Sequence, residues 1–208
     1  AEKIAAQALA GKNIAIVSDA GMPVVSDPGN IVCEVLKEKG VEYTVIPGAN
    51  AALCALILSG LPADKFLFVG FLPEKKGEKR AVLEKFKDTE ATLLFHVAPQ
   101  DLDGDIRAMY EVFGERKAAA VREITKIHEE SAAFLLSEGL PGEKRGEYVL
   151  VVRGAEKKEN PLCALSEKEH ILHYMRAGLD KKEAVKAAAK DRGVAKSELY
   201  PFSVDLSL

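Results

Sequence analysis

The chain has 208 residues, of which 48% are hydrophobic and 29% are charged, and its formal net charge is −3. This composition is typical of a globular protein with one or two domains, and it argues against a disordered chain and against a wholly basic nucleic-acid binder. We also expect no membrane span and no signal peptide, because no apolar run approaches ~20 residues and the N-terminus lacks a basic start and an apolar core.

The first third of the chain alternates apolar, β-branched runs with helical patterns. Each run is followed by a loop of small residues and then by a helix, which is the order of a parallel sheet with helices on its faces. We expect Asn30 and Asn50 to cap the two helices. The predicted elements are strands at Asn13–Val17 and Val41–Ile46 and helices at Asn30–Lys39 and Ala51–Ser59.

The rest of the chain continues this pattern, apart from Ser131–Glu138, which is ambiguous. The predicted fold class is therefore α/β. We expect two α/β subdomains, residues 1–65 and 66–160, followed by a small helical segment, residues 161–208. The further predicted strands are Phe66–Phe71, Thr92–Val97, Lys117–Glu123 and Glu147–Arg153, and the helices include Leu102–Phe113 and Asp180–Arg192.

The loop Ser18–Gly29 is the most informative segment, because it holds two Gly, two Pro and two Asp directly after a predicted strand. Ligands of open α/β sheets bind beyond the carboxyl ends of strands, where Asp19 or Asp27 could bind a hydroxyl or an ammonium group. A tight connection without a ligand explains the same residues equally well. The break at Pro47–Asn50 favours a cleft, since two neighbouring strand ends then carry small residues.

Several other site types are not indicated. The chain lacks the glycine patterns of Rossmann and P-loop nucleotide sites. Its three cysteines form no Cys-x-x-Cys pair and its histidines form no ligand set, so we expect no disulfide framework, no metal site and a location in the reducing cytoplasm. The absence of Trp and an aromatic content of 6% disfavour a base-stacking platform for single strands.

Five segments carry a family resemblance in this order: VSDAGMPVVSDPG (residues 17–29), VIPGANAAL (45–53), SGLPADKFLFVGFLPEKKGEKR (59–80), VREITKIHEE (121–130) and GEYVLVVRG (146–154). Together they resemble the family of 16S ribosomal RNA cytidine 2′-O-methyltransferases, within the superfamily of tetrapyrrole (corrin/porphyrin) methylases. The resemblance implies an enzyme of two α/β subdomains with S-adenosylmethionine in the cleft between them. It further implies methylation of RNA in the small ribosomal subunit and assembly as a homodimer.

The resemblance also assigns residues to the cofactor. The loop beside the methionine part of S-adenosylmethionine and the Pro-Gly loop after the next strand would hold it. The family more often has Thr at the position of Met22, and Pro-Ser or Pro-Cys where Ala49-Asn50 stands. The predicted cofactor-binding residues are Asp19, Ala20, Gly21, Met22, Pro23, Pro47, Gly48, Asn50 and Ala51.

A charged cluster supplies the predicted catalytic residues Arg122, Glu123 and Lys126, which match the family's Arg-Glu-Leu-Thr-Lys-x-x-Glu-Glu pattern. Without the resemblance, the cluster would be interpreted as a solvated, salt-bridged surface. A ribose hydroxyl must lose its proton as it attacks a methyl group, and Glu123, or Lys126 with a lowered pKa, could assist. The sequence singles out neither residue.

Two segments are basic and could contact RNA. Residues 74–88 include the lysines and the arginine that match the family's Phe-Leu-Pro-x-Lys-x-Gly-x-Arg segment. This part of the chain could be either an exposed loop or a flap that contacts phosphates. Residues 176–196 carry seven basic and three acidic side chains and resemble a helix-turn-helix-like accessory module with sequence-independent phosphate affinity. The predicted substrate-binding residues are Lys76, Arg80, Lys182, Lys186 and Arg192.

The chain departs from the family pattern at two places. The family begins with further strands and a Pro-x-Gly-Asn loop, so the resemblance implies that residues 1–65 form an incomplete subdomain. Where the family often has Tyr-Glu-Ser-Pro-His-Arg, residues 96–101 read HVAPQD and keep only Pro99. Two alternatives therefore stay open: a tetrapyrrole methyltransferase, and a non-catalytic fragment that binds the cofactor or RNA. The basic tail favours RNA over a tetrapyrrole.

Overall fold

A computed structural model describes residues 1–19, 21–26, 29–156 and 160–206. The chain divides into two compact units, Ala1–Ala155 and Glu156–Leu208. The finer division of the first unit at residue 65 stays a prediction. None of the described helices is long and apolar enough to cross a membrane.

The N-terminal unit holds a five-stranded sheet with helices on both faces. Strands Phe66–Phe71, Thr92–Val97 and Lys117–Arg122 and helices Ala51–Ser59 and Leu102–Phe113 form within one residue of their predicted bounds. In chain order the elements are α1 (Glu2–Leu9), α2 (Asn30–Glu38), α3 (Ala51–Ser59), β1 (Phe66–Phe71), α4 (Lys76–Glu84), β2 (Thr92–Val97), α5 (Leu102–Phe113), β3 (Lys117–Arg122), β4 (Glu130–Leu135) and β5 (Tyr148–Val152).

The sheet has the strand order β1-β2-β5-β3-β4 and is mixed, with only β1 and β2 parallel. The parallel sheet predicted from the first third of the chain concerned residues 13–17 and 41–46, which are not strands of this sheet. No helix lies between β3 and β4, which pair antiparallel as directly connected strands do, and β5 enters between β2 and β3 and pairs antiparallel with both. The carboxyl ends of β1, β2 and β3 consequently meet the amino ends of β4 and β5 at one end of the sheet, where Phe71 pairs with His96, Val97 and Arg122 with Tyr148, and Arg122 with Glu130.

The two faces of the sheet bury separate apolar clusters, because successive strand side chains point to opposite faces. On one face, α4 and α5 contribute Leu83, Ile106 and Met109 to the larger cluster. On the other face, α3 places Ala55 and Leu56 against alternate residues of β2, β3 and β5. The opposite side of α3 remains exposed and apolar, with Leu53, Ile57 and Leu58 at 44%, 77% and 43% exposure.

The predicted strands Asn13–Val17 and Val41–Ile46 do not form, which corrects the α/β interpretation of the first third of the chain. Both segments have strand-forming sequences, but a strand exists only where its backbone pairs with a neighbour. Among the described residues, neither residues 13–17 nor residues 42–46 make a backbone hydrogen bond. Their side chains are exposed accordingly, as at Val17 and Ile46 (84% and 86%).

The two predicted helix caps have different outcomes. The Asn50 side chain accepts a hydrogen bond from the Leu53 amide (3.1 Å), which confirms this cap. The prediction for Asn30 is wrong, because α2 already begins at Asn30 and its capping position is Gly29, whose side chain can accept nothing. Among the described residues, the Asn30 carboxamide accepts only from the adjacent Ile31 amide (2.9 Å).

The C-terminal unit is a small helical cluster. Its predicted helix over 180–192 is confirmed, with Asp180 as the N-cap and Gly193 in the left-handed conformation at the end. The buried side of the cluster includes Ile171, Val185 and Ala188. Its elements are α6 (Glu167–Arg176), α7 (Lys181–Arg192), α8 (Lys196–Leu199) and 3-10 turns at Pro161–Ala164 and Tyr200–Ser203.

Gly154, just after β5, is expected to tolerate no side chain. A Cβ at this buried position would overlap the carbonyl groups of Glu90 and Ala91, which are backbone atoms and cannot rotate away. We expect Gly154→Ala to lower the free energy of unfolding by about 1–3 kcal/mol in urea titrations. Gly104→Ala is the control, because nothing lies within 4 Å of its Cβ position in α5, and helix propensity should make it neutral or stabilising. Equal midpoints for the two variants would contradict the overlap.

Candidate active site

The two small-residue loops approach each other closely, and the predicted cleft between them stays a prediction. A Cβ at Gly21, whose φ is +74°, would lie 3.3 Å from the Ala49 carbonyl oxygen. A Cβ at Gly48 would lie 3.6 Å from Met22 Cγ. The first loop also approaches β1, since a Cβ at Gly70 would lie 3.7 Å from Ser26 Oγ. The loops and the carboxyl end of β1 therefore form one continuous surface.

This surface offers hydrogen-bonding groups that the described part of the chain does not use. The backbone amides of Gly48 and Ala49 donate to no acceptor there, and the exposed Asp19 carboxylate forms no ion pair there. The Asn50 side chain already accepts the Leu53 amide as the N-cap of α3, so Asn50 would contact a ligand through its backbone. Ala20, predicted to bind the cofactor, and Asp27 lie outside the described residues.

Backbone strain is concentrated in two segments of the N-terminal unit. Within the described ranges, the non-glycine residues with positive φ are Val24 (77°), Ser26 (60°), Glu123 (50°) and Thr125 (68°). Such conformations are costly for residues with a Cβ and persist where the surroundings hold them, often at functional sites. One pair lies in the loop after residue 18 and the other in the predicted catalytic cluster.

Glu123 is the centre of the charged cluster after β3. Its Oε1 accepts hydrogen bonds from the Glu147 amide (3.1 Å) and from Lys126 Nζ (3.1 Å), and Lys126 Nζ also lies 3.7 Å from Glu147 Oε2. Gly146 permits this arrangement, because a Cβ there would overlap the Glu123 side chain. Both bonds use Oε1, so Oε2 has no hydrogen-bond donor among the described residues.

These contacts fix the charge states of the pair. The amide of Glu147 and then the Lys126 ammonium hold the pKa of Glu123 below its ordinary value. The same carboxylate raises the pKa of Lys126, so the expectation of a lowered lysine pKa is wrong. The sequence could not show this, because the pKa direction depends on the 3.1 Å contact rather than on residue type. Lys126 is therefore a fixed cation and not a proton acceptor at neutral pH.

Arg122 is oriented by the opposite strand. Its guanidinium pairs with Glu130 of β4 at 2.6 Å. Its Nε is buried and has no hydrogen-bond partner among the described residues. A buried donor of this kind is costly to the fold, so the position of Arg122 is held by its surroundings and by the Glu130 ion pair.

Sequence reasoning missed an aromatic pair at the same end of the sheet. Phe71 and His96 are register partners on β1 and β2, and their rings stack with centroids 5.4 Å apart and planes at 28°. Phe68 contacts the edge of His96 at 5.1 Å and 83°. Both residues occupy the carboxyl ends of predicted strands, which is the signal that could have revealed them.

The pKa of His96 is lowered by burial, against the opposing effect of Glu147. A depressed folded-state pKa means that the unfolded chain binds more protons below about pH 6.5, so His96 makes stability fall as pH decreases through that range. We expect His96→Phe, which keeps the ring, to lose less stability than the wild type between about pH 7 and pH 5.5. Thermal melts across this range check it, and parallel curves for the two proteins would contradict it.

The residues predicted to bind RNA differ in whether they form ion pairs with other described residues. Lys76 begins α4 and forms no ion pair within the described chain, whereas Arg80 lies 3.6 Å from Glu84. In the C-terminal unit, Lys182 and Lys186 are exposed on α7, with no ion pair among the residues described.

Arg192, the fifth predicted RNA contact, is held inside the C-terminal unit. Its guanidinium donates to His170 Nδ1 (3.1 Å) and to the Leu165 carbonyl, and it lies 3.4 Å from Glu167. His170 in turn contacts Asp191 through Nε2 (3.2 Å). The structure thus gives Arg192 an internal role, and its contact with RNA stays a prediction.

The sequence matches a known family of methylases and several named relatives. The family model "Tetrapyrrole (Corrin/Porphyrin) Methylases" matches residues 1–139. The chain is similar to proteins named ribosomal RNA small subunit methyltransferase I. It is 43% identical to that of Halalkalibacterium halodurans and 44% identical to that of Bacillus subtilis, in each case over 91% of this chain and 68% of the relative. The protein of Escherichia coli O157:H7 is 35% identical over 99% of this chain and 73% of its own length.

Two solved structures share the fold. The methyltransferase CobJ superposes with a TM-score of 0.59 at 18% identity, covering 74% of this chain and 70% of its own. A conserved hypothetical protein from Aeropyrum pernix K1 gives a TM-score of 0.52 at 12% identity, covering 99% of this chain and 78% of its own. These likenesses establish the architecture, and the predicted α/β class with a tetrapyrrole methylase-like fold is confirmed.

Proposed function

Because the chain belongs to the tetrapyrrole (corrin/porphyrin) methylase family, and within it to the ribosomal RNA small subunit methyltransferase I group, we propose that it is an S-adenosylmethionine-dependent RNA methyltransferase. Its substrate is a ribose 2′-hydroxyl of a cytidine in 16S ribosomal RNA. The relatives' names support the small-subunit RNA, whereas the atom and the nucleotide come from the sequence resemblance. The observation that carries the proposal is the contact of the two loops beside unused backbone amides.

The residues of the loop surface fit S-adenosylmethionine. The ligand carries an ammonium group, a carboxylate and a ribose diol. Asp19 is an exposed carboxylate suited to the ammonium or the diol. The amides of Gly48 and Ala49, which have no acceptor among the described residues, are suited to a carboxylate. Gly21 keeps the two loops in contact, and Met22 packs beside Gly48. The rest of the predicted set (Ala20, Pro23, Pro47, Asn50 and Ala51) would complete the loops.

When bound, S-adenosylmethionine would supply an electrophilic methyl group, and the ribose hydroxyl that receives it must lose its proton. Glu123 would accept a hydrogen bond from that hydroxyl through Oε2, which has no donor among the described residues. Its lowered pKa makes it an orienting acceptor, and the proton leaves to solvent. Lys126 holds the carboxylate in place. Arg122, whose guanidinium is held by Glu130, would place its positive charge beside an RNA oxygen.

Cofactor binding separates the enzyme from its rival interpretations. Calorimetry with S-adenosylmethionine should give one site on the N-terminal unit, and the Asp19→Ala variant should weaken it. No heat of binding would favour a non-catalytic module. Methyl transfer to a tetrapyrrole, with none to small ribosomal subunits, would favour the other branch of the family. The lysines on α4 and α7 that form no ion pair with the described residues support RNA, since a tetrapyrrole needs no phosphate contacts.

RNA affinity should depend steeply on salt through α7. Each lysine that neutralises a phosphate contributes about 0.7 to the slope of log K against log salt for single-stranded RNA. We expect Lys182→Gln and Lys186→Gln each to reduce that slope by about this amount and to weaken binding to different RNAs equally. Filter binding between low and high salt measures the slope. Lys12→Gln is the charge-matched control on the N-terminal unit, and an equal slope change in all three variants would contradict a role for α7.

A second copy of the chain is the expected partner. The exposed side of α3, formed by Leu53, Ile57 and Leu58, is apolar and supports a homodimer contact. The three cysteines are free, which suits the cytoplasm, where ribosomal subunits are found. Light scattering of the purified protein should give twice the chain mass, and a monomer at micromolar concentration would contradict the dimer.

A further inference from the structure

The stacked pair formed by Phe71 and His96 presents an aromatic surface to solvent. Phe71 is 63% exposed, so most of its ring faces solvent instead of the core. His96 is better buried and is held from the side by Phe68. The pair is therefore a fixed platform with one open ring, and its orientation is set by strand register instead of by a loop.

The platform lies between the two halves of the candidate active site. On one side, Gly70, next to Phe71 in the chain, lies beside Ser26 of the cofactor loop. On the other side, His96 is close enough to Glu147 for its charge to affect the histidine's pKa, and Glu147 contacts Lys126 of the charged cluster. A molecule that spans from the loop surface to Glu123 would pass over this ring pair.

We propose that Phe71, supported by His96, stacks against a base of the RNA substrate next to the ribose that is methylated. The inference rests on the proposed function and names how that site holds its substrate. Single-stranded RNA is bound by stacking its unpaired bases on aromatic side chains, which accept any base because each has a π face. The low aromatic content of the chain disfavours a platform that stacks many bases. The two paired rings of Phe71 and His96 are enough to stack one base.

Charge and ring chemistry agree with this role. His96 is uncharged at neutral pH because burial lowers its pKa, so it can pack flat behind Phe71 without a counter-ion. Cations that suit a phosphate backbone follow closely in the chain: the basic α4 begins five residues after Phe71, with Lys76 free of ion pairs among the described residues. A base on the ring and a phosphate at α4 would fix one nucleotide.

The test separates stacking from simple apolar contact. Phe71→Leu keeps an apolar side chain and removes the ring, Phe71→Trp keeps a ring, and His96→Phe keeps the support. Phe66→Leu is the matched control, since Phe66 is a 44% exposed phenylalanine at the opposite end of the same strand. The probe is a short RNA hairpin of the substrate sequence with 2-aminopurine placed in turn at the target and its two neighbours.

Binding to the wild type should quench 2-aminopurine at one of these positions. Phe71→Leu should abolish that quenching and raise the dissociation constant for RNA by about 5- to 150-fold. Phe71→Trp, His96→Phe and Phe66→Leu should retain it, and the affinity for S-adenosylmethionine should be unchanged in all four. Quenching that survives Phe71→Leu, or is lost equally in Phe66→Leu, would overturn the proposal. Quenching on Phe71 without any methyl transfer would instead contradict the proposed function alone.

Discussion

Replacing Gly21 by alanine is expected to weaken the binding of S-adenosylmethionine by about 100-fold. The new Cβ would lie 3.3 Å from the Ala49 carbonyl oxygen, and the residue would also have to hold a φ of +74°. The two loops must then separate, which moves the Gly48 and Ala49 amides away from the cofactor. Losing two hydrogen bonds to a charged ligand at about 1.5 kcal/mol each gives this factor. Calorimetry measures it.

The control for Gly21→Ala is Gly40→Ala. Gly40 also has a left-handed φ (+67°), but nothing lies within 4 Å of its Cβ position. Both variants therefore carry a similar backbone penalty, and only Gly21→Ala disturbs the loop contact. Equal losses of cofactor affinity in both would show that general destabilisation is responsible, and an unchanged affinity in Gly21→Ala would remove the loop surface from the cofactor site.

Replacing Glu123 by glutamine is expected to lower kcat for methyl transfer by about 100-fold while cofactor affinity stays the same. The glutamine oxygen can still accept the Glu147 amide, but a neutral group no longer holds the Lys126 ammonium or accepts the substrate hydroxyl strongly. Single-turnover assays with saturating cofactor measure the effect on the chemical step directly.

Glu138→Gln is the matched control for Glu123→Gln. The Glu138 carboxylate also accepts a backbone hydrogen bond, from the Leu135 amide at 3.1 Å, but it follows the carboxyl end of β4, at the other end of the sheet from Glu123. We expect this variant to keep full turnover. If Glu123→Gln kept near-full turnover as well, Glu123 would be a structural residue of the β3–β4 connection.

Much of the fold could be predicted from local sequence. The helix Ala51–Ser59 and its Asn50 cap follow from an apolar run behind a capping residue. The strand Thr92–Val97 follows from a short, nearly continuous apolar run, which is typical of a buried strand. The contact between the loops around Gly21 and Gly48 was predictable too, because small residues follow two successive strand-like segments. Such features depend on neighbours in the chain, which the sequence displays directly.

The remaining features depend on partners distant in the chain. The strand-like segments before Ser18 and Pro47 have the right residues but form no ladder among the described residues. The direction of β5 is set by its pairing with β2 and β3, which alternating apolarity does not encode. The pKa of Lys126 is raised instead of lowered because the Glu123 carboxylate lies against the ammonium group. The rings of Phe71 and His96 stack because the register of β1 and β2 pairs the two residues.

The central claim is methyl transfer to small-subunit ribosomal RNA, and one measurement tests it most directly. The protein is incubated with S-adenosylmethionine labelled in its methyl group and with 30S subunits from a strain lacking its own methyltransferase I. We expect label in the 16S RNA at a single cytidine, where the modified ribose resists alkaline cleavage. Label on a base, label distributed over many sites, or no transfer by a protein that binds the cofactor would contradict the account.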